Sequence, residues 1–214
     1  MKKAGEPFKY FRLQVIKWSK LHPSDYPWRK TNNLWHGLVA EIMLQRTRTD
    51  QVLPVYNDFV NRFPSPQNYI DHLKEADENI FTNLGLLWRN EAFKQAALQI
   101  VEEGIPKYKK GLMSLPGIGD YVSSAFISFH LNKRELIIDS NIVRLYGRYF
   151  GIKTDAESRR DIVLRSLADK LTPKRNFRTY NYAVLDFAMN VCKTSPDCTN
   201  CVLKSKCCFR RSMF

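Results

Sequence analysis

The sequence predicts an all-α protein, and three observations carry that expectation. Apolar residues recur at spacings of three and four along most of its 214 residues. No stretch alternates apolar and polar residues with the two-residue period of a strand, and the one β-like run, "ELII" at 135–138, is too short to count. Ser, Asp, Pro and Gly fall where helices start and stop.

Taken in order, Phe8, Phe11, Val15 and Trp18 mark a first helix that His22-Pro23 ends. The polar loop "PSDYPWRKTNN" follows, and Trp35, Leu38, Val39, Ile42 and Met43 then line a second helix. Val52 to Phe63 is a third, and Ser65-Pro66 supplies the N-cap and first residue of a fourth. Gly85 and Gly104 take the positions that close helices near 76–84 and 90–103. A helix over "KKGLMSL" runs into "LPGIG" at 115–119, and another over "YVSSAFISFHL" runs out of it. Asp139 or Ser140 caps a helix that Gly151 closes, and Thr154 with Glu157 forms a capping box for the next. A last helix runs from about Thr179 to Val191.

Composition narrows the function. With 44% hydrophobic and 26% charged residues, the chain can bury a core. Its 34 Lys+Arg against 21 Asp+Glu give a net charge of +13, which favours a polyanionic partner over mere solubility. No run approaches 18 uncharged apolar residues, and "MKKAGEPFKYF" has no apolar core of a secretory signal. A cytoplasmic protein with reduced thiols is expected.

Two clusters carry chemistry. Gly117 and Gly119 flank one isoleucine between two helices, and each can take positive φ or admit a close backbone. They make either an ordinary helix connection or a phosphate site, because the second helix presents unpaired N–H groups and its positive dipole end. All five cysteines lie in the last 23 residues, with the spacing Cys192-x5-Cys198-x2-Cys201-x5-Cys207 and Cys208 beside them. Four reduced thiols so close read as a zinc or iron–sulfur site. The lone C-x2-C pair with single cysteines on either side is nearer to a cubane wrapped by one loop. Lys204, Lys206, Arg210 and Arg211 around them either meet phosphates or form a solvated tail.

Together, "LPGIG", the aspartate 18 residues after Tyr121 in "IIDSNIVRLYGRYFG", and the four-cysteine loop resemble the helix–hairpin–helix DNA glycosylases of the endonuclease III type. "PWR" at 27–29 and "AEIMLQRT" at 40–47 extend the resemblance from about Pro27 to Cys207. Its implications are a two-lobed fold, with a six-helix barrel over 26–134 that holds the hairpin at 107–130. An iron–sulfur lobe would form from 1–25 and 135–214. A cleft between them would take a flipped base, with Glu41 and Tyr121 on one wall and Asp139 on the other. The implied partner is double-stranded DNA with a mismatched or damaged base, bound by a monomer away from membranes.

Within the family, "AEIMLQRT" resembles both the A/G-mismatch adenine glycosylases and the G/T-mismatch thymine glycosylases. Tyr121, "VRLYGRYFG" and "LDFAMNVC" look closer to the thymine branch, and no length follows the cysteines for an 8-oxoguanine-reading domain. The implied activity is monofunctional release of thymine or uracil opposite guanine. Adenine release is the alternative, and a non-catalytic DNA-binding module is the reading from another class.

The resemblance also implies site roles. Asp139 is the anion that stabilises positive charge developing on the sugar, a role compatible with capping its helix. Glu41, among the apolar neighbours of "LVAEIML", is half-buried and acts as an acid or hydrogen-bonds the flipped base. Tyr121, the first side chain of the hairpin's second helix, stacks on the base but cannot form an imine as the lysine of bifunctional relatives does. Gln45 and Arg46, ending the Glu41 helix, fill the hole left in the duplex, and Gly117 and Gly119 grip a phosphate. Cys192, Cys198, Cys201 and Cys207 hold a 4Fe–4S cluster, leaving Cys208 free. Three departures stand out: a first cysteine gap of five residues where the family has six, a loop "LNKRELII" without Gly or Pro, and Asp120 where many relatives are basic.

Overall fold

Helical periodicity becomes eleven α-helices in the computed structural model, which describes residues 6–76, 84, 88–155 and 157–212. They are α1 Glu6–Leu21, α2 Leu34–Met43, α3 Thr49–Arg62, α4 Pro66–Glu75 and α5 Trp88–Glu103. There follow α6 Lys109–Ser114, α7 Asp120–Phe129, α8 Ser140–Phe150, α9 Ile162–Leu171, α10 Phe177–Asn190 and α11 Cys208–Arg211. Among the described residues there is no strand, and "ELII" is irregular. The helix expected near 76–84 and its closing Gly85 lie outside the described residues, apart from Ala76 and Leu84.

Caps decide most boundaries. Ser65 accepts from the Asn68 N–H at 3.3 Å and starts α4, with Pro66 as its first residue. Gly104 and Gly151, at φ 79° and 73°, close α5 and α8 in the left-handed region. The expected capping box of Thr154 and Glu157 does not form. Asp155 instead accepts from the Glu157 N–H and the Ser158 hydroxyl, both at 2.9 Å, and holds a turn. Thr154 meanwhile packs on α8, where a Cβ on Gly147 would lie 2.7 Å from its methyl. Helix α9 therefore starts later, at Ile162, capped by Asp161 accepting from the Leu164 N–H at 2.8 Å.

The chain divides into two compact units, Asp25–Lys133 and Met1–Ser24 with Arg134–Phe214. In the first, α2 is buried on nearly every side, as a helix apolar all round should be. Trp35 stacks on Phe93 at 5.4 Å, and Phe59, Phe63 and Tyr69 complete the aromatic cluster. Helix α2 also packs on α3 and α7, and α6 packs on α7. The loop before α2 holds a 3-10 turn at Pro27–Arg29 that buries Trp28 against Tyr56. In the second unit, Phe11 of α1 meets Tyr146 and Tyr149 of α8, and Trp18 meets Phe187 of α10 edge-on. No helix among the described residues is long and apolar enough to cross a membrane.

Candidate active site

The two hairpin glycines do different work. Gly117 sits at φ 76°, a conformation that costs an L side chain strain, and a Cβ there would lie 3.2 Å from the Ala92 Cβ. Gly119 is the extended N-cap of α7, at φ −97°, and a Cβ there would meet nothing within 4 Å. The fold therefore needs Gly117, whereas Gly119 keeps the start of α7 open to an approaching group. Asp120 is paired with Lys109 at 2.9 Å, which offsets its charge at that mouth. Helix α7 begins at Asp120, so Tyr121 is its second side chain and not its first. Tyr121 is partly buried against the core that α2 enters.

Glu41 is more deeply placed than the sequence suggests, with 3% exposure instead of half-burial. Its Oε1 lies 3.1 Å from Nε2 of His130, the C-terminal cap of α7 and a residue that sequence reasoning missed. The only advance signal was a lone histidine at the end of the apolar run "AFISFHL". Gly37, one turn before Glu41, makes room for it: a Cβ there would lie 2.4 Å from His130 Nδ1.

Gln45 and Arg46 follow α2 in a turn and are not part of the helix, which ends at Met43. The Gln45 side-chain amide donates to the Gly117 carbonyl at 3.1 Å, tying this turn to the hairpin. Arg46 is exposed and holds φ 56°, a left-handed conformation uncommon outside glycine. Beneath them lies a second residue that sequence reasoning missed. Arg89, only 2% exposed, donates to the Ile42 carbonyl at 3.4 Å and to the Gln45 carbonyl. It satisfies carbonyls that the end of α2 leaves open. Burial, then the charge of Arg46, lowers its pKa to about 10.

Asp139, the cysteines and their supports belong to the other unit. Asp139 caps α8, its Oδ1 accepting from the Ile142 N–H at 2.7 Å and its Oδ2 from the Asn141 amide at 2.8 Å. Burial raises its pKa above the ordinary carboxylate value, against the lowering effect of those bonds and of Arg144. Arg144 continues the chain of contacts, reaching Asn141 Oδ1 at 3.0 Å and the Ala188 and Cys192 carbonyls at 3.1 and 2.8 Å. The catalytic candidate and the first cysteine thus share one arginine.

Cys192, Cys198, Cys201 and Cys207 line one pocket with Leu145, Tyr149, Phe187 and Leu203, and Cys208 does not line it. All five thiols are free. Burial pushes the Cys201 thiol up to about 11, with Cys207, Cys192 and Cys198 adding to it. Arg148 Nη1 lies 3.7 Å from Cys192 Sγ, and the Cys207 thiol donates to the Arg148 carbonyl at 3.5 Å. Among the described residues no three His, Cys, Asp or Glu side chains are gathered closely enough to hold one metal ion.

This geometry of hairpin, buried carboxylates and cysteine pocket meets a matching family. The model of the "HhH-GPD superfamily base excision DNA repair protein" family fits residues 39–172, more than half of the chain. The chain belongs to the HhH-GPD superfamily. It is 35% identical to a thymine/uracil-DNA glycosylase of Pyrobaculum aerophilum, over 95% of this chain and 93% of that one. It is also 30% identical to an adenine DNA glycosylase of Buchnera aphidicola subsp. Baizongia pistaciae, over 85% of this chain but 52% of the relative. A solved thermostable thymine-DNA glycosylase superposes with a TM-score of 0.85 at 25% identity, covering 97% of this chain and 98% of that one. The HhH-GPD fold and the enzyme class, a DNA glycosylase, follow, and the thymine branch stands ahead of the adenine branch as the motifs implied.

Proposed function

We propose that this HhH-GPD protein is a monofunctional glycosylase that hydrolyses thymine or uracil from opposite guanine in double-stranded DNA. The near full-length similarity to the thymine/uracil glycosylase carries the substrate. Breaking the N-glycosidic bond builds positive charge on the sugar, and the Asp139 carboxylate, held by Ile142 and Asn141, stabilises that charge as it develops. Tyr121 stacks on the extruded base, Glu41 meets the base edge or the attacking water, and Gln45 with Arg46 fills the vacated stack. A water performs the displacement because position 121 offers a phenol and no amine. Lys133, the nearest lysine downstream, lies four residues beyond the end of α7 and donates to the Lys107 carbonyl at 3.1 Å. Single-turnover base release from G/T, G/U, A/G and A/8-oxoguanine duplexes tests the reading. Thymine and uracil should leave, and release of adenine alone would assign the chain to the other branch.

The hairpin role is separable from stability. Gly119→Ser places a favoured N-cap residue in open space, so its melting temperature should not fall. Its side chain nevertheless crowds the phosphate, so binding to duplex DNA should weaken. Gly117→Ala should cost about 1–2 kcal/mol of stability from its positive φ. Thermal melts beside binding titrations check the pair, and equal effects of the two would contradict the division of labour.

We infer further that Cys192, Cys198, Cys201 and Cys207 hold a 4Fe–4S cluster. The support is that these four sulfurs share one pocket while Cys208 does not line it. Bound there, the group would staple the loop that starts at Cys192 and, through Arg144, steady Asn141 beside Asp139. Anaerobic protein should be brown and contain iron; Cys207→Ser should lose iron, and Cys208→Ser should keep it. A colourless, zinc-loaded preparation made with iron present would contradict the assignment.

A further inference from the structure

Glu41 and His130 meet in a buried hydrogen-bonding contact inside the unit Asp25–Lys133, with side chains 4% and 1% exposed. Nothing in base hydrolysis as described requires the histidine. Its ring is nonetheless tightly specified. Phe126 stacks on one face at 5.7 Å, and the backbone of α2 closes on Nδ1 because residue 37 is glycine. On α3, burial pushes the Tyr56 hydroxyl up to about 12, against a hydrogen bond with Thr31 and with Glu41 adding to the rise.

The two ring nitrogens fix the proton. Nδ1 is sealed and has no hydrogen-bond partner among the described residues. A hydrogen on Nδ1 would be an orphan buried donor, which proteins tolerate less than an unsatisfied acceptor. An imidazolium would add an uncompensated N–H to the same wall. The neutral ring with its hydrogen on Nε2 leaves only a lone pair against Gly37, and it makes Glu41 Oε1 the acceptor. Among the described residues His130 is the only hydrogen-bond partner of the carboxylate, so Oε2 remains to meet a ligand.

We propose that His130 is a positioning residue for catalysis, whose Nε2–H fixes Glu41 Oε1 and so leaves Oε2 as the oxygen that meets the base or the attacking water. The proposal rests on the pyrimidine reading above and deepens it. Thymine and uracil carry an imide N–H that an acceptor can read, and an attacking water likewise needs an acceptor for its proton. The pair therefore sets the place of Glu41.

Two measurements test this. In protein labelled with nitrogen-15 histidine, with His130 assigned by its loss in His130→Gln, the ring should show a protonated Nε2 and a bare Nδ1 at neutral pH. A protonated Nδ1 overturns the proposal whatever the substrate proves to be. In single-turnover base release from G/T or G/U duplexes, His130→Leu should be slower by up to about tenfold, the scale of one buried hydrogen bond. His130→Gln, which keeps an amide donor, should recover most of the rate. In a Glu41→Gln background the leucine substitution should add little, since His130 acts through Glu41. A leucine variant as fast as the parent, or one whose effect is undiminished in the Glu41→Gln background, overturns it. A wild-type protein that releases neither thymine nor uracil overturns the pyrimidine reading, and the nitrogen spectrum still decides the proton's place.

Discussion

Asp139→Asn should release base on the order of a hundredfold or more slowly, while binding mismatched DNA as the parent does and melting no lower. The rate follows from removing one electrostatic contact made only as charge develops on the sugar. The stability follows from two features of the site. Asparagine caps a helix as well as aspartate, so α8 keeps its bond from the Ile142 N–H and gives up the one from the Asn141 amide. The carboxyl's pKa is also raised in the folded state, chiefly by burial. With its folded pKa above the unfolded value, its stabilising contribution belongs to low pH and is lost as pH rises through the folded pKa. At neutral pH the native anion therefore costs stability that a neutral amide does not. The same shift sets the pH profile: the parent's rate should fall on acidification at a pH above the ordinary aspartate value of 3.8. Single-turnover kinetics across pH, with thermal melts, check all three statements; unimpaired base release by the variant would remove Asp139 from the mechanism.

Tyr121→Lys should gain an activity that the parent lacks. Strand cleavage by a lyase route needs an amine that attacks the sugar C1′ and forms an imine, and a phenol cannot. Residue 121 lies in the first turn of α7, directly after the hairpin, so a lysine there starts from the place where bifunctional relatives carry theirs. Its half-buried position beside an apolar core also disfavours the ammonium form, which increases the nucleophilic amine. Borohydride should trap a covalent protein–DNA adduct with the variant and none with the parent. Efficient trapping of the parent would show another amine at the sugar and would end the monofunctional assignment.

What the sequence made legible, and what it hid, follows from range. Caps and glycines are local signals, so Ser65, Gly104 and Gly151 could be assigned from neighbours along the chain, and the cap of α8 narrowed to Asp139 or Ser140. The Thr154–Glu157 box had the right letters but failed, because Asp155 offered its backbone a competing turn and Thr154 was needed against Gly147. The residues missed all act across long separations. His130 meets Glu41 across 89 positions, Arg89 meets Ile42 across 47, and Arg144 meets Cys192 across 48. No periodicity encodes such a meeting. The chemistry of a site is carried by residue type and can be read early, whereas its second partner is chosen by packing.

The most direct measurement is mass analysis of both products after incubating the protein with a G/T duplex. The expected result is free thymine together with a full-length strand bearing one abasic sugar. An unchanged duplex, or thymine loss accompanied by strand scission, would contradict a monofunctional thymine glycosylase.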